Sequence, residues 1–283
     1  LLKMKLKINS LLFGTAGIPI AANPRTTPNG ISKVKELGLG AMELEFVHSV
    51  NITKEKAPEI NEIAKKNNVV LTCHAPYYIN LNAVEKPKWH ASISRIVQSA
   101  KITSLCGGYS VCFHPAYYLK QDPKDVFSKV KEAISIIVEE LKNSGVEIWV
   151  RPETAGRVAQ FGNLSEILDM CAHFDNVLPC IDWSHLHAQS NGKYNTKKEF
   201  EDVLSLMENK LGKRAMQNVH FHCQGVAYSD KGEKSHIPLK ESDLNYTELV
   251  RAWKEFGIKG VVISESPNIE KDALLMKRIY DSA

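Results

Sequence analysis

The chain has 283 residues, 43% hydrophobic and 24% charged, with a formal net charge of +4. This composition supplies a large core and excludes a disordered or low-complexity chain. A positive balance this small permits an anionic partner but does not by itself argue for nucleic acid.

The N-terminus, Leu-Leu-Lys-Met-Lys-Leu-Lys-Ile-Asn, alternates lysine with apolar residues where a secretory signal needs a continuous apolar block. Residues 1–10 are set aside as an N-terminal extension and residues 11–283 are taken as one domain. From there strand-like and helix-like patterns alternate. The strand-like segments are Leu11 to Gly17, Ala41 to Val47, Val69 to Pro76, Tyr109 to Pro115, Val146 to Thr154, Val177 to Trp183, Val219 to Gly225 and Lys259 to Ser266. The helical patterns fall at Thr27 to Leu37, Lys54 to Lys66, Lys88 to Leu105, Pro123 to Asn143, Leu164 to His173, Thr196 to Leu211, Asp243 to Phe256 and Ile269 to Asp281. Eight strands each followed by a helix predict a closed (β/α)8 TIM barrel in the α/β class, a fold of about 250 residues that commonly forms a single domain.

Punctuation supports the pattern. Gly38, Gly107, Gly145 and Gly257 follow helix-like stretches, where a C-terminal cap favours positive φ. Asp122-Pro123, Asn163 and Asp243 stand where helices should begin. Ser229 to Asp243 is the only long polar stretch. No G-x-G-x-x-G follows the first strand, which argues against dinucleotide binding. No run approaches the roughly 18 apolar residues of a membrane span, so a cytoplasmic protein without membrane contact is expected. The six cysteines, Cys73, Cys106, Cys112, Cys171, Cys180 and Cys223, contain no C-x-x-C pair and read as small, reduced core residues. A thiolate metal site is the sharper alternative, because Cys73, Cys112, Cys180 and Cys223 each lie within two residues of a candidate ligand.

Six of the apolar runs end on, or next to, metal-capable side chains: His74, His114, Glu153, Asp182, His220 and Glu265. Parallel strands closed into a barrel bring such residues to one mouth. His185 follows Asp182 by about one helical turn, and Gly156 lets the chain turn away after Glu153. So many carboxylates and imidazoles would be costly to desolvate together without a cation. Zinc or manganese suits the donors.

In order, His74-x-x-Tyr77, Phe113-His114-Pro115, Glu153-Thr-Ala-Gly156 with Gly162-Asn163-Leu164, Cys180-Ile-Asp182-x-x-His185, His220 and Ser264-Glu265 resemble the signature segments of endonuclease IV in a short, archaeal-type form. That family of metal-dependent apurinic/apyrimidinic endonucleases belongs to the xylose-isomerase-like barrels, and the resemblance runs from Phe13 to the last helix. It implies two or three zinc ions, manganese being the alternative. His74, His114 and Glu153 would hold one ion; Glu153 would bridge to a second completed by Asp182, His220 and Glu265; His185 would help hold a third. The family's Asp-x-His after the seventh strand is replaced by Gly232-Glu233-Lys234-Ser235-His236. His236 is the natural histidine there, Glu233 is one position off, Lys234 is an alternative as a phosphate contact, and His222 competes with His220. The implied reaction is hydrolysis of the phosphodiester 5′ to an abasic site in double-stranded DNA, or at a 3′-blocked end, leaving a 3′-hydroxyl. Glu153 would orient the attacking water. Tyr77, Arg25, Arg151, Arg157, Lys231 and Lys234 would contact substrate from mouth loops, and a monomer is expected.

The rival is a divalent-metal-dependent sugar isomerase or epimerase of the same barrel group, which shares the set Glu153, Asp182, His185, His220 and Glu265. A one-metal epimerase has no need of His74 and His114, whereas Glu45, an extra mouth carboxylate, favours it. A zinc-stabilised binding module fits less well, since structural zinc prefers four Cys or His ligands.

Overall fold

The computed structural model describes residues 7–283; the first six residues of the N-terminal extension lie outside the described residues. In chain order the elements are β1 (Leu11–Ala16), α1 (Thr27–Glu36), β2 (Ala41–Glu45), α2 (Ala57–Asn67), β3 (Val70–His74), α3 (Lys86–Leu105), β4 (Ser110–Phe113), β5 (Ala116–Tyr117), α4 (Pro123–Asn143), β6 (Trp149–Pro152), β7 (Gln160–Phe161) and α5 (Leu164–Cys171). There follow β8 (Cys180–Asp182), α6 (Trp183–Gln189), α7 (Lys197–Leu211), α8 (Lys213–Met216), β9 (Val219–His222), β10 (Gly225–Ser229), β11 (Gly232–Ile237), α9 (Tyr246–Glu255), β12 (Gly260–Ser264) and α10 (Glu270–Ser282).

Eight of the strands form one parallel sheet in the order β6-β4-β3-β2-β1-β12-β9-β8. Its two ends meet through single bridges, Val150 to Val177 and Glu153 to Cys180. A (β/α)8 barrel results, as the alternation predicts. Side chains alternate across each strand. On β9, His220 and His222 face inward while Phe221 between them packs on Trp183 and Trp253, with ring centroids 5.5 and 6.0 Å apart. Leu71, Val111, Val150 and Ile181 are likewise buried between inward-facing neighbours. All six cysteines are buried and unpaired.

Helix starts follow the expected chemistry at Asp122, and at Asn163, where a reciprocal capping box with Glu166 forms. Asp243 does not cap a helix. It accepts hydrogen bonds from the Tyr228 hydroxyl at 2.6 Å and His187 Nε2 at 3.1 Å, and Asn245 caps α9 instead. Two elements depart from the reading. The run from Val177 to Trp183 yields a strand of only three residues, because Asp182 accepts the backbone N–H of His185 and starts α6 at Trp183. The polar stretch from Ser229 is largely a β-hairpin, β10 and β11, antiparallel from Gly225–Ile237 to Ser229–Gly232 with a bulge at Ala227/Tyr228. No described helix is long and apolar enough to cross a membrane.

Candidate metal centre

The C-terminal ends of the barrel strands converge on Glu153, a fully buried carboxylate. Its Oε2 lies 3.3 Å from His74 Nε2 and 3.7 Å from His114 Nδ1. The Oε1 lies 3.2 Å from His222 Nδ1 and 3.4 Å from His185 Nδ1. Glu153 Oε2 and His114 Nδ1 are sealed from solvent yet have no hydrogen-bond partner. Buried polar atoms left unpaired at this spacing fit a cation between them, and the mixed imidazole and carboxylate donors suit zinc or manganese.

Four overlapping groups follow at the mouth. His114, Glu153 and His185 form one; Glu153, Asp182, His222 and Glu265 a second; His185, Glu233 and His236 a third; His74, Cys112 and Glu153 a fourth. In the third, Glu233 stands 3.6 Å from His185 Nε2 and 3.3 Å from His236 Nε2. Neighbouring groups orient several rings. His74 Nδ1 faces the Ala75 carbonyl at 2.7 Å, leaving Nε2 toward Glu153. His236 Nδ1 faces the Glu265 carbonyl at 3.2 Å, leaving Nε2 toward Glu233. Such contacts fix the tautomer that a metal-facing nitrogen requires.

The imidazole beside Glu153 and Glu265 is His222, not His220. Strand register decides this: Asp182 pairs with His222 and Cys180 with His220, so His220 lies one layer deeper. There its Nδ1 meets Ser110 Oγ at 2.9 Å and its Nε2 lies 3.0 Å from Glu43 Oε2. Placing His220 with Asp182 and Glu265 is corrected accordingly.

The groups seen as substrate contacts separate too. Tyr77, Arg157, Glu233, His236 and Glu265 line a cavity of about 320 Å3 over the cluster. Lys231 and Lys234 are exposed on the hairpin above it. Arg25 hydrogen-bonds the Ile18 carbonyl at 3.0 Å and lines a neighbouring recess with Glu45 and Asn51. Arg151 is nowhere near the mouth. It points into the opposite end of the barrel, where its Nη2 donates to the Asn218 carbonyl at 2.9 Å and Asn218 Oδ1 at 2.7 Å, and it is only 1% exposed. Inward-facing positions on β6 sit two residues apart, so Arg151 falls one layer below Glu153.

Sequence reasoning missed Glu43 and Gln224. Glu43 lies 2.9 Å from His222 Nε2 and accepts from Thr72 Oγ1 at 2.7 Å. Gln224 Nε2 donates to Asp182 Oδ2 at 2.7 Å. Both shared a period-two signal with residues already singled out: Glu43 with Glu45, and Gln224 with His222.

Charge follows burial and proximity. Burial pushes the Glu153 carboxyl up, but His114, His222 and His185 hold it well below the carboxylate range. Burial likewise opposes ionisation of Glu43, which His222 and His220 overcome. Burial disfavours the charged His74 ring, yet the Glu153 hydrogen bond and charge raise it to about 10. Desolvation and the neighbouring His74 and His185 rings push the half-buried His114 down to about 4. Glu45, half-buried with Oε1 unpartnered, is raised to about 8 by desolvation and the Glu43 charge.

Residues 31–279 match the family model described as a xylose isomerase-like TIM barrel. An uncharacterized protein of Methanocaldococcus jannaschii is 41% identical over 96% of this chain and 97% of its own length. A probable endonuclease 4 of Staphylococcus saprophyticus is 24% identical over 62% of this chain, and the match spans 58% of that relative. Endonuclease IV of Thermus thermophilus superposes with TM-score 0.70 at 17% identity, over 95% of this chain and 98% of that one. A D-tagatose 3-epimerase-like protein superposes with the same TM-score at 18% identity, over 95% and 96%. At these identities the structural matches speak for the fold alone.

Proposed function

Because the chain belongs to the xylose isomerase-like TIM barrel family, whose fold neighbours include an endonuclease and a ketose epimerase-like protein, we propose that it is a metal-dependent endonuclease of the endonuclease IV kind. It would cut DNA 5′ to an abasic site and leave a 3′-hydroxyl. The observation that carries this reading is the overlap of four ligand groups through Glu153 and His185. A single-cation site needs only Glu153, Asp182, His222 and Glu265; His74, His114, Glu233 and His236 extend it toward a multi-ion cluster suited to phosphodiester hydrolysis.

Bound cations would supply a water that deprotonates near neutral pH and would neutralise charge on the phosphate oxygens. Glu153, at the centre, orients that water. Asp182 Oδ2 is held by Gln224 and keeps its place at the ligand edge. Arg157 lines the cavity, and Lys231 and Lys234 stand exposed beside it, offering positive charge to a DNA backbone. Tyr77, 54% exposed and edge-on to His74 at 5.5 Å, forms one wall. A cavity of about 320 Å3 is at the small end for ligand sites. It suits an extruded sugar-phosphate without its base, whose flipping forfeits little stacking.

The second reading, sugar isomerisation or epimerisation, is favoured by Glu45. This carboxyl belongs to none of the candidate metal groups and is raised to about 8, within range for proton transfer at carbon. The experiment that separates the two offers the purified protein a duplex with one abasic site and, in parallel, a panel of ketoses. Nicking that chelation abolishes supports the endonuclease. No cleavage above an Asp182→Asn control, together with ketose interconversion, overturns it.

A further inference from the structure

Below the mouth the barrel holds a second convergence, built one layer deeper and containing sulphur. Cys112 on β4, Cys180 on β8 and both histidines of β9 are fully buried, and each offers a donor atom within 4.8 Å of the other three. Cys180 is level with His220 in the β8–β9 register. His222 reaches this group through Nε2, 3.8 Å from Cys112 Sγ, while its Nδ1 faces Glu153 and Glu265. Glu43 closes the group: Oε2 is 3.0 Å from His220 Nε2 and 3.6 Å from Cys112 Sγ, and Oε1 is 2.9 Å from His222 Nε2.

The hydrogen-bond network is only partly satisfied: Thr72 and Cys112 donate to Glu43 Oε2, Cys112 also reaches the Cys73 carbonyl, and Ser110 meets His220 Nδ1. His220 Nε2 and Glu43 Oε1 are sealed from solvent without a hydrogen-bond partner although the groups nearly touch. Metal coordination accounts for both facts. With bonds of about 2.0–2.3 Å, neighbouring donors around a tetrahedral ion stand roughly 3.3–3.8 Å apart. The 3.8 Å between Cys112 Sγ and His222 Nε2 stands at the upper end of that range, and all four donors lie within 4.8 Å of one another. Two thiols with two imidazoles are a preferred donor set of structural zinc, softer than the carboxylate-rich mouth.

We propose that Cys112, Cys180, His220 and His222 hold a structural zinc-type ion inside the barrel, one layer below the mouth and sharing His222 with it, with the Glu43 carboxylate close beside the ion. The ion replaces the two thiol protons and the Nε2 proton of His222; with a second ion at the mouth, His222 would give up its Nδ1 proton too and bridge the two as an imidazolate. The structural ion ties the paired staves β8 and β9 to β4 across the closing seam at β6, and His222, presenting one nitrogen upward and one downward, links it to the mouth. The proposal is independent of the reaction performed above.

The test uses the full chain, stripped of metal and titrated with cobalt(II) as the probe. Thiolate ligation gives intense sulphur-to-cobalt charge-transfer absorption in the near ultraviolet, which oxygen and nitrogen ligands do not. We expect that band in the unsubstituted protein, its weakening in both Cys112→Ser and Cys180→Ser, its loss when both are replaced, and its survival in Glu233→Gln, which alters only the mouth. Zinc-edge X-ray absorption of the unsubstituted holoprotein should show sulphur at about 2.3 Å, which keeps the proposal testable if either cysteine variant fails to fold. Absence of a sulphur shell overturns it. So does a band that depends on Cys112 but is undiminished in Cys180→Ser, because the thiolate would then serve the mouth group of His74, Cys112 and Glu153. Neither readout involves nicking, so its failure is distinct from that of the endonuclease reading.

Discussion

At the residue scale, Asp182 divides two tasks between two oxygens. Oδ1 accepts the His185 backbone N–H at 2.8 Å and caps α6, while Oδ2 faces the ligand groups and Gln224. Asp182→Asn keeps an oxygen for the cap but removes the charge. Melting of the metal-free protein should move by less than about 1 kcal/mol, the scale of a single cap, whereas nicking should fall at least about 100-fold, roughly 2.7 kcal/mol in the barrier. Loss of folding in this variant, with the cap oxygen kept, would show that the charge itself is structural rather than reserved for metal. Proton competition is a second consequence of the same geometry. A metal-facing imidazole must be neutral, and in the metal-free state the Glu153 hydrogen bond and charge, winning over burial, hold His74 protonated up to about 10. The sign follows: binding at that group expels a proton below about 10 and none above it. Apparent zinc affinity, read by competition with a coloured chelator, should rise about tenfold per pH unit per proton released and flatten near that upper limit. His74→Asn should weaken binding and reduce the slope. Arg151 shows the contrasting, purely structural case. With its guanidinium stacked 5.4 Å from the Tyr109 ring centroid and bonded to Asn218, Arg151→Met should cost about 2–4 kcal/mol in denaturant unfolding without altering the mouth.

At the element scale, the β10–β11 hairpin carries Glu233 and His236 to the mouth, and one glycine controls its seating. Gly232 has φ 91°, and a Cβ there would stand 2.2 Å from the Gly156 carbonyl oxygen. The hairpin docks through that same stretch, Glu233 N–H donating to the Gly156 carbonyl at 2.9 Å and Val158 N–H to the Lys231 carbonyl at 3.3 Å. Gly232→Ala should therefore lift the hairpin and weaken the cation shared by His185, Glu233 and His236, leaving the groups below in place. Equilibrium dialysis should show about one fewer tightly held ion, with barrel melting shifted by no more than about 1–3 kcal/mol; an unchanged ion count would detach the hairpin from metal binding. This element was hidden in the sequence because Ser229 to His236 is polar on both faces and its pairing is set by the close approach of two backbones. The barrel strands were legible for the opposite reason, since their apolar outer faces must alternate with whatever lines the interior. What alternation cannot supply is the height of a residue within the barrel. His220 and His222 carry the same signal, as do Arg151 and Glu153, and only the β8–β9 and β4–β6 registers say which of each pair reaches the mouth. Glu43 was overlooked beside Glu45 through the same ambiguity.

At the scale of the whole molecule, charge placement separates the two reactions more sharply than the fold does. Thirty-six basic against 32 acidic residues leave only +4, and the mouth itself gathers Glu153, Asp182, Glu233 and Glu265. Without cations the protonated His74, His185 and His222 rings do little more than offset those carboxylates, so stripping metal removes the mouth's hold on phosphate and should weaken binding of an uncleavable abasic duplex as well as abolish turnover. The remaining attraction must come from the rim, where Arg157, Lys231 and Lys234 are exposed. Each lysine that neutralises a phosphate releases condensed counterions and adds about 0.9 to the slope of log affinity against log salt for B-form DNA. Lys231→Ala with Lys234→Ala should therefore flatten that slope by about two and weaken binding most at low salt. Single-turnover cleavage at saturating protein should be nearly unchanged, because neither lysine belongs to a metal group. A neutral ketose has no counterions to release, so turnover of such a substrate should be insensitive to both lysines and nearly insensitive to salt. A duplex-binding slope that the double substitution leaves intact would remove the hairpin lysines from the DNA path and throw the weight back to Glu45 and the smaller, uncharged substrate it favours.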